Sequence, residues 1–295
     1  MKIDIIQPSG YCFGVMNAIN EAIKIKENYP FNNVYVLGEL VHNEDVISFL
    51  NNHDIHTLVV NNNEEEILKN LNTNDILIFS AHGHNEKLDE LLKNKKITFF
   101  DTTCKNVRKN LDLIKENIDK GIIYIGKENH AETKAAISIS NKVILYDLDK
   151  GLVFSKITFK EPIIINQTTL SYLELNNIHK EILEDIPKAN IIDEICPVTR
   201  IRQENIINLK NDYDLLIIIG SKTSSNTSKL YELALKYHQN KKVLMIGSKK
   251  DLFNFDLSNY QHVAIFSGTS TPNEIINEVK QYLEEEYSLW KKILN

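Results

Sequence analysis

Leu215-Leu216-Ile217-Ile218-Ile219-Gly220 is an unbroken apolar run closed by a glycine. The same phrase occurs twice earlier, as Val34-Tyr35-Val36-Leu37-Gly38 and as Ile122-Ile123-Tyr124-Ile125-Gly126. Short continuous apolar runs of this kind read as strands buried on both faces. A second short strand follows each: Thr57 to Val60, Val143 to Tyr146, and Val243 to Gly247. A third follows that: Ile76 to Ser80, Ile163 to Asn166, and Val263 to Ser267. Helical stretches separate them, and such alternation predicts parallel sheets covered by helices on both sides.

Ahead of each glycine-closed run lies a segment with helical spacing of apolar residues. The first has Val15, Ile19, Ala22 and Ile23; the second Val107, Leu111, Ile114 and Ile118; the third Val198, Ile201, Ile206 and Leu209. Each begins directly after a cysteine, and Cys12, Cys104 and Cys196 are separated by 92 residues each time. A short apolar run also leads into each cysteine: Ile3 to Ile6, Ile97 to Phe100, and Ile191 to Ile195. The chain therefore reads as an α/β protein: three small parallel α/β domains of about one hundred residues, related by a pseudo-threefold axis in a compact trefoil. The expected units are 13–97, 98–194 and 195–280, with the N-terminal strand in 1–12 closing the third sheet and 281–295 as a C-terminal tail. Asn61–Glu66 and Gln281–Asn295 read as the disordered parts, with Glu284-Glu285-Glu286 a solvated helix face.

Composition removes several classes of function. The 295 residues are 42% hydrophobic and 25% charged, an ordinary globular balance. A net charge of −6 leaves no basic footprint for nucleic acid. The apolar runs are far short of the roughly 20 residues a membrane helix requires. Met1 to Ile6 run straight into a strand-like segment, with no signal or transit peptide visible. Three cysteines, an odd number, argue against a disulfide scaffold.

The polar residues just beyond the strands are the candidates for chemistry, because ligands of open parallel sheets bind at the carboxyl ends of strands. The first unit offers His42 and His82, the second His130, Glu132 and Thr168, the third Ser224, Ser225, Asn226 and Ser270. His42, His130 and Ser224 lie 30, 26 and 28 residues after their cysteines, and His82, Thr168 and Ser270 lie 70, 64 and 74 after. Under a pseudo-threefold axis these groups converge on one cavity floored by the cysteines. Loop Ser, Thr and Asn are ordinarily caps and turns, but recurrence in all three repeats favours function. Three thiolates leave two metal readings open, a Cys₃His zinc site and an iron–sulfur cluster one cysteine short, whose fourth iron keeps an open position. Each cysteine at a helix start has a partial positive charge beside it, which suits an anionic group.

From about Ile5 to about Ile275 the chain resembles the 4-hydroxy-3-methylbut-2-enyl diphosphate reductases. The motifs are Gly10-Tyr11-Cys12-Phe13-Gly14-Val15, Val41-His42-Asn43, Ser80-Ala81-His82-Gly83, Asp101-Thr102-Thr103-Cys104, His130-Ala131-Glu132, Gln167-Thr168-Thr169-Leu170-Ser171, Glu194-Ile195-Cys196, Ser221-Lys222-Thr223-Ser224-Ser225-Asn226-Thr227 and Gly268-Thr269-Ser270-Thr271-Pro272. Asn17, Ala131 and Lys105 depart from the usual pattern. The resemblance implies a trefoil around a central 4Fe–4S cluster, one per chain, bound by Cys12, Cys104 and Cys196. It implies a diphosphate held by His42, His82, His130, Ser224, Ser225, Asn226 and Ser270. Glu132 is then the proton source, with Thr168 bonding the substrate hydroxyl and His130 beside it. The implied reaction is reductive dehydroxylation of an allylic diphosphate to isopentenyl and dimethylallyl diphosphate, the last step of the non-mevalonate pathway. It draws electrons from a ferredoxin- or flavodoxin-type donor. A monomer is expected, in a bacterial cytoplasm or a plastid-type organelle. The alternatives are a three-cysteine Lewis-acid dehydratase or condensing enzyme, and a non-enzymatic metal- or redox-sensing protein.

Overall fold

The glycine-closed runs become inner strands of parallel sheets in the computed structural model, which describes residues 1–60, 63–152, 157–192, 195–210 and 212–293. The chain opens with β1 (Lys2–Ile5). Next come α1 (Phe13–Asn28), β2 (Val34–Leu37), α2 (Glu44–Asn51), β3 (Ile55–Leu58), α3 (Glu64–Lys69), β4 (Ile76–Phe79), α4 (Lys87–Asn94) and β5 (Thr98–Asp101). Then follow α5 (Lys105–Glu116), β6 (Ile122–Gly126), α6 (Ala131–Ser138), β7 (Val143–Asp147), β8 (Ile163–Asn166), α7 (Tyr172–Asp185) and β9 (Asn190–Ile191). The last stretch holds α8 (Pro197–Ile207), β10 (Leu215–Ile219), α9 (Ser225–Tyr237), β11 (Lys242–Ile246), β12 (His262–Ser267) and α10 (Asn273–Ile293). No helix of the described residues is long and apolar enough to cross a membrane.

Among the described residues the strands form three four-stranded parallel sheets, ordered β3-β2-β4-β5, β7-β6-β8-β9 and β11-β10-β12-β1. Counted from its glycine-closed strand, each sheet runs second, first, third, fourth. In the last sheet the fourth place goes to β1, which pairs Lys2 with His262 and Ile5 with Ile265. Asp4 on β1 accepts hydrogen bonds from Tyr213 Oη and His262 Nε2, both at 2.9 Å. The His262 bond is the main cause that lowers the Asp4 carboxyl to about 2. This contact helps stability above the ordinary carboxylate range and is lost as pH falls through 2, a small effect for so exposed a group.

Two of the three closing glycines share a packing reason. A Cβ on Gly126 would lie 2.4 Å from Thr133 Oγ1, and one on Gly220 would lie 2.5 Å from Thr227 Oγ1. Thr133 and Thr227 are fully buried, each the third residue of the helix that follows. The missing side chain lets the first turn of α6 or α9 sit directly on the strand end. Gly126→Ala and Gly220→Ala are each expected to lower unfolding free energy by about 1–3 kcal/mol, the usual cost of overpacking, as read from urea midpoints.

The chain divides into two compact units. One holds Met1–Cys12, His42–Glu44 and Pro197–Asn295, with the sheet β11-β10-β12-β1; the other holds Phe13–Val41 and Asp45–Cys196, with both remaining sheets. The expected units 13–97 and 98–194 thus lie in one body. The loop after β4 joins them: a Cβ on Gly83 would lie 3.2 Å from Leu111 Cδ1 on α5 and 3.3 Å from Ala135 Cβ on α6.

Three expectations need correction. The C-terminal segment from Gln281 is not a disordered tail, because α10 continues to Ile293. Ile276, Val279 and Leu283 form one buried stripe against the core of β10 and β12, and that burial carries the helix onward. Glu284 and Glu285 are the solvated face expected; Leu294 and Asn295 lie outside the described residues. Asn61 and Asn62 also lie outside them, whereas Glu64–Glu66 form the first turn of α3. On α8 the apolar stripe fails: Ile201 is 45% exposed while Thr199, Arg202 and Gln203 are buried beside Ile206. Arg202 turns inward because the carbonyls of Gly10 and Ser267 accept its guanidinium hydrogens.

Candidate functional site

All three cysteines are anchored by the same device. Cys104 caps α5, and Cys12 and Cys196 immediately precede α1 and α8. The backbone N–H of Cys12 donates to Thr269 O at 2.9 Å, that of Cys104 to Ala81 O at 3.0 Å, and that of Cys196 to Thr168 O at 3.0 Å. Each acceptor lies in the loop after the third strand of a sheet. The thiols are free and half-buried, so none is consumed in a disulfide or sealed in a core. Soft thiol donors on helix starts are of the type that ligates an iron–sulfur cluster. Among the described residues no three His, Cys, Asp or Glu side chains sit close enough to share a single metal ion.

In the sheet β7-β6-β8-β9 and its helices, Glu132 is the central ionisable group. Sequence spacing puts it in a loop, but it lies in the first turn of α6 and is 1% exposed. Its Oε1 accepts from Thr168 N at 2.9 Å and Tyr124 Oη at 3.2 Å, and its Oε2 accepts from Thr168 Oγ1 at 2.9 Å. Burial raises its pKa, the Thr168 and Tyr124 bonds pull it back, and the result is about 7. A carboxyl so tuned exchanges a proton at neutral pH. Tyr124 stays a neutral donor, because burial and the adjacent Glu132 push its hydroxyl well above the ordinary phenol value.

His130 is the cap of α6 and accepts from Glu132 N at Nδ1, 3.2 Å away. In the neutral ring that bond leaves the proton on Nε2. The His130 and His82 rings meet edge to face at 5.8 Å, and the His82 backbone N–H donates to Ser80 Oγ. The structure therefore brings Glu132, Thr168, His130 and His82 into one cluster. The backbone clips attach Cys196 to Thr168, and Cys104 to the residue before His82.

In the body that carries β1, Ser224 caps α9 and accepts from Thr227 N at 3.3 Å. Ser225 and Asn226 fill the first turn, which holds no acidic residue. Asn226 Oδ1 accepts from Thr269 N at 3.1 Å, and its Nδ2 donates to Thr199 Oγ1 at 3.3 Å. Ser270 Oγ donates to His42 O at 3.1 Å, and Asn43 Nδ2 donates to Ser270 O at 2.7 Å. Thr269 thus ties Cys12 to Asn226, and the next residue ties in His42. The cap and turn roles of Ser224 and Asn226 are real; a helix N-terminus free of acid is also the ordinary receptor for a phosphate.

The LytB protein family model matches residues 3–284 of the chain. The chain belongs to this family. The 4-hydroxy-3-methylbut-2-enyl diphosphate reductase of Malacoplasma penetrans is 35% identical over 294 residues, covering 97% of this chain and 98% of that one. The enzyme of the same name from Shouchella clausii is 33% identical, with 96% and 91% covered. Among solved structures, the E-1-hydroxy-2-methyl-but-2-enyl-4-diphosphate reductase of Plasmodium falciparum is similar with a TM-score of 0.82 at 27% identity, covering 96% and 87%. A second, (E)-4-hydroxy-3-methyl-but-2-enyl diphosphate reductase, described as the terminal enzyme of the non-mevalonate pathway, gives 0.69 at 25% identity, covering 96% and 99%. These matches disfavour the dehydratase and sensor readings.

In this LytB-family chain some side chains beside the candidate residues, or buried near them, are invisible as motifs. Tyr124 reads as one more apolar strand residue. Asn110 is fully buried on α5, where it donates to Asn166 O at 2.9 Å and favours the charged form of Glu132. Its signal was present: a polar residue on the stripe Val107, Leu111 and Ile114. The same signal marks Thr199, Arg202 and Gln203 on α8. Glu194 of the third cysteine motif lies outside the described residues.

Proposed function

We propose that this protein reductively dehydroxylates (E)-4-hydroxy-3-methylbut-2-enyl diphosphate to isopentenyl and dimethylallyl diphosphate. The observation that carries the reading is Glu132: a fully buried carboxyl tuned to about 7 and gripped by Thr168, in a chain of the LytB family. Cys12, Cys104 and Cys196 would hold a single 4Fe–4S cluster. Bound there, it supplies single electrons and an iron with an open position for an oxygen ligand.

The chain's own residues supply the remaining work. The first turn of α9, with Ser224, Ser225 and Asn226, holds the diphosphate together with Ser270 and the imidazoles of His42, His82 and His130. Amide, hydroxyl and imidazole donors satisfy its oxygens without arginine. Thr168 orients the substrate hydroxyl, and Glu132 delivers a proton to it as the C–O bond breaks, so that it leaves as water. Two electrons and a second proton, added at either end of the allyl unit, complete the product. The electrons come from an external one-electron carrier of ferredoxin or flavodoxin type. The protein works as a monomer, in a bacterial cytoplasm or a plastid-type organelle.

Anaerobic purification tests the reading. One cluster per chain by iron count and absorption is expected, with turnover that requires a reduced low-potential donor. A metal-free protein, or turnover without reductant, overturns it. Asn226→Ala should bind inorganic diphosphate about tenfold to a hundredfold more weakly by calorimetry, the loss that goes with a charge-assisted hydrogen bond. Unchanged binding would remove the α9 turn from the site.

A further inference from the structure

Asn106 stands on the first turn of α5, two residues after Cys104, and its side chain reaches a different cysteine. Its Nδ2 donates to Cys196 Sγ at 3.2 Å. Both ends of this contact are held by backbone. Cys104 is clipped to Ala81 and Cys196 to Thr168, so the backbone at each end of the contact is anchored to a strand-end loop. The neighbours of Asn106 on α5 point elsewhere. Val107 packs in the core, and the Lys105 ammonium lies 5.8 Å from the Phe13 ring centroid. Asn106 and Cys196 are both half-buried, so water competes only partly for the sulfur.

An N–H donated to a ligand sulfur withdraws electron density from it. A cluster grows more negative on reduction, so the bond stabilises the reduced form more than the oxidised one. Hydrogen bonds to the sulfurs are among the main settings of cluster potential, and donors around a metal ligand also orient it. We propose that Asn106 is a positioning residue that raises the reduction potential of the group held by Cys196, by donating its side-chain amide to that sulfur. The proposal rests on the cluster reading above. It gives the Cys104 segment two duties: one cysteine as ligand, and one amide that tunes the ligand on a neighbouring segment.

The test uses the anaerobic holoenzyme and two variants. Asn106→Leu keeps similar bulk without a donor. Asn106→Asp keeps the shape but turns a carboxylate toward the sulfur. Midpoint potentials come from mediated redox titration followed by electron paramagnetic resonance, with iron content measured on the same samples. Both variants should load a full cluster and shift to more negative potential, Asp further than Leu. Turnover should fall with a weak donor and recover with excess strong reductant, while KM for the substrate stays at the parental value. Parental potentials in both fully loaded variants would overturn the proposal. Loss of the cluster in both would overturn it too, by making Asn106 a structural residue. A parent protein with no reducible cluster would instead defeat the underlying reading.

Discussion

Glu132→Gln is expected to fold, to load its cluster and to bind substrate, yet to turn over slower than the parent by about 10² or more, the usual order for losing a general acid. The substitution keeps the side chain's shape beside Thr168 and Tyr124 but removes its transferable proton. The parent should show an alkaline limb. With Glu132 held at about 7, its protonated fraction falls roughly tenfold per pH unit above that value, and turnover should follow. The limb should be missing from Glu132→Gln. Linkage gives a second readout. The folded protein binds this proton more tightly than the unfolded chain, whose carboxyl titrates near 4.5. The contribution of Glu132 to stability is therefore fully present below 4.5 and lost as pH rises through about 7. Melting scans between those values should show this loss in the parent and not in the variant. Thr168→Val should slow turnover less, because in the proposed reaction Thr168 positions the hydroxyl without supplying the proton. Near-parental turnover of Glu132→Gln under saturating reductant would place the proton source elsewhere, with the substrate diphosphate the next candidate.

Cys104→Ser should abolish the cubane signal altogether, and the same holds for Cys12→Ser and Cys196→Ser. A serine oxygen is a hard, weakly acidic donor where a soft thiolate is required. The backbone clip to Ala81 does not involve the side chain, so the fold should survive, and loss of iron can be separated from loss of structure by circular dichroism. A fully loaded, fully active Cys104→Ser protein would remove that residue from the metal site.

Local physics made most of the architecture readable. Leu215–Ile219 and its two counterparts read as doubly buried strands from their short length and β-branched composition, and the equal spacing of Cys12, Cys104 and Cys196 exposes the repeat. The strand-end residues were legible because parallel sheets deliver their loops to one edge. Less legible were features that depend on what a side chain meets after folding. The run Ile191–Ile195 reads as a full strand, but among the described residues the strand is Asn190–Ile191. Gln281–Asn295 is rich in charge and reads as a tail, until Leu283 finds a core to enter.

By itself, then, the sequence determined the three-sheet parallel plan, the cysteines at helix starts and the polar groups after the strands, since all of these follow from periodicity and chain direction. Tertiary structure alone decided the chemistry of Glu132. On the chain it is a glutamate two residues from a lysine; in the fold it is sealed from water beneath Thr168 and Tyr124, and removing water from a charge is what lifts its pKa. The same dependence explains Arg202, polar on a stripe meant for apolar residues, and Asn106, whose partner sulfur lies 90 positions away in the chain. Such contacts belong to pairs of segments, and no local pattern encodes a partner that only folding brings near.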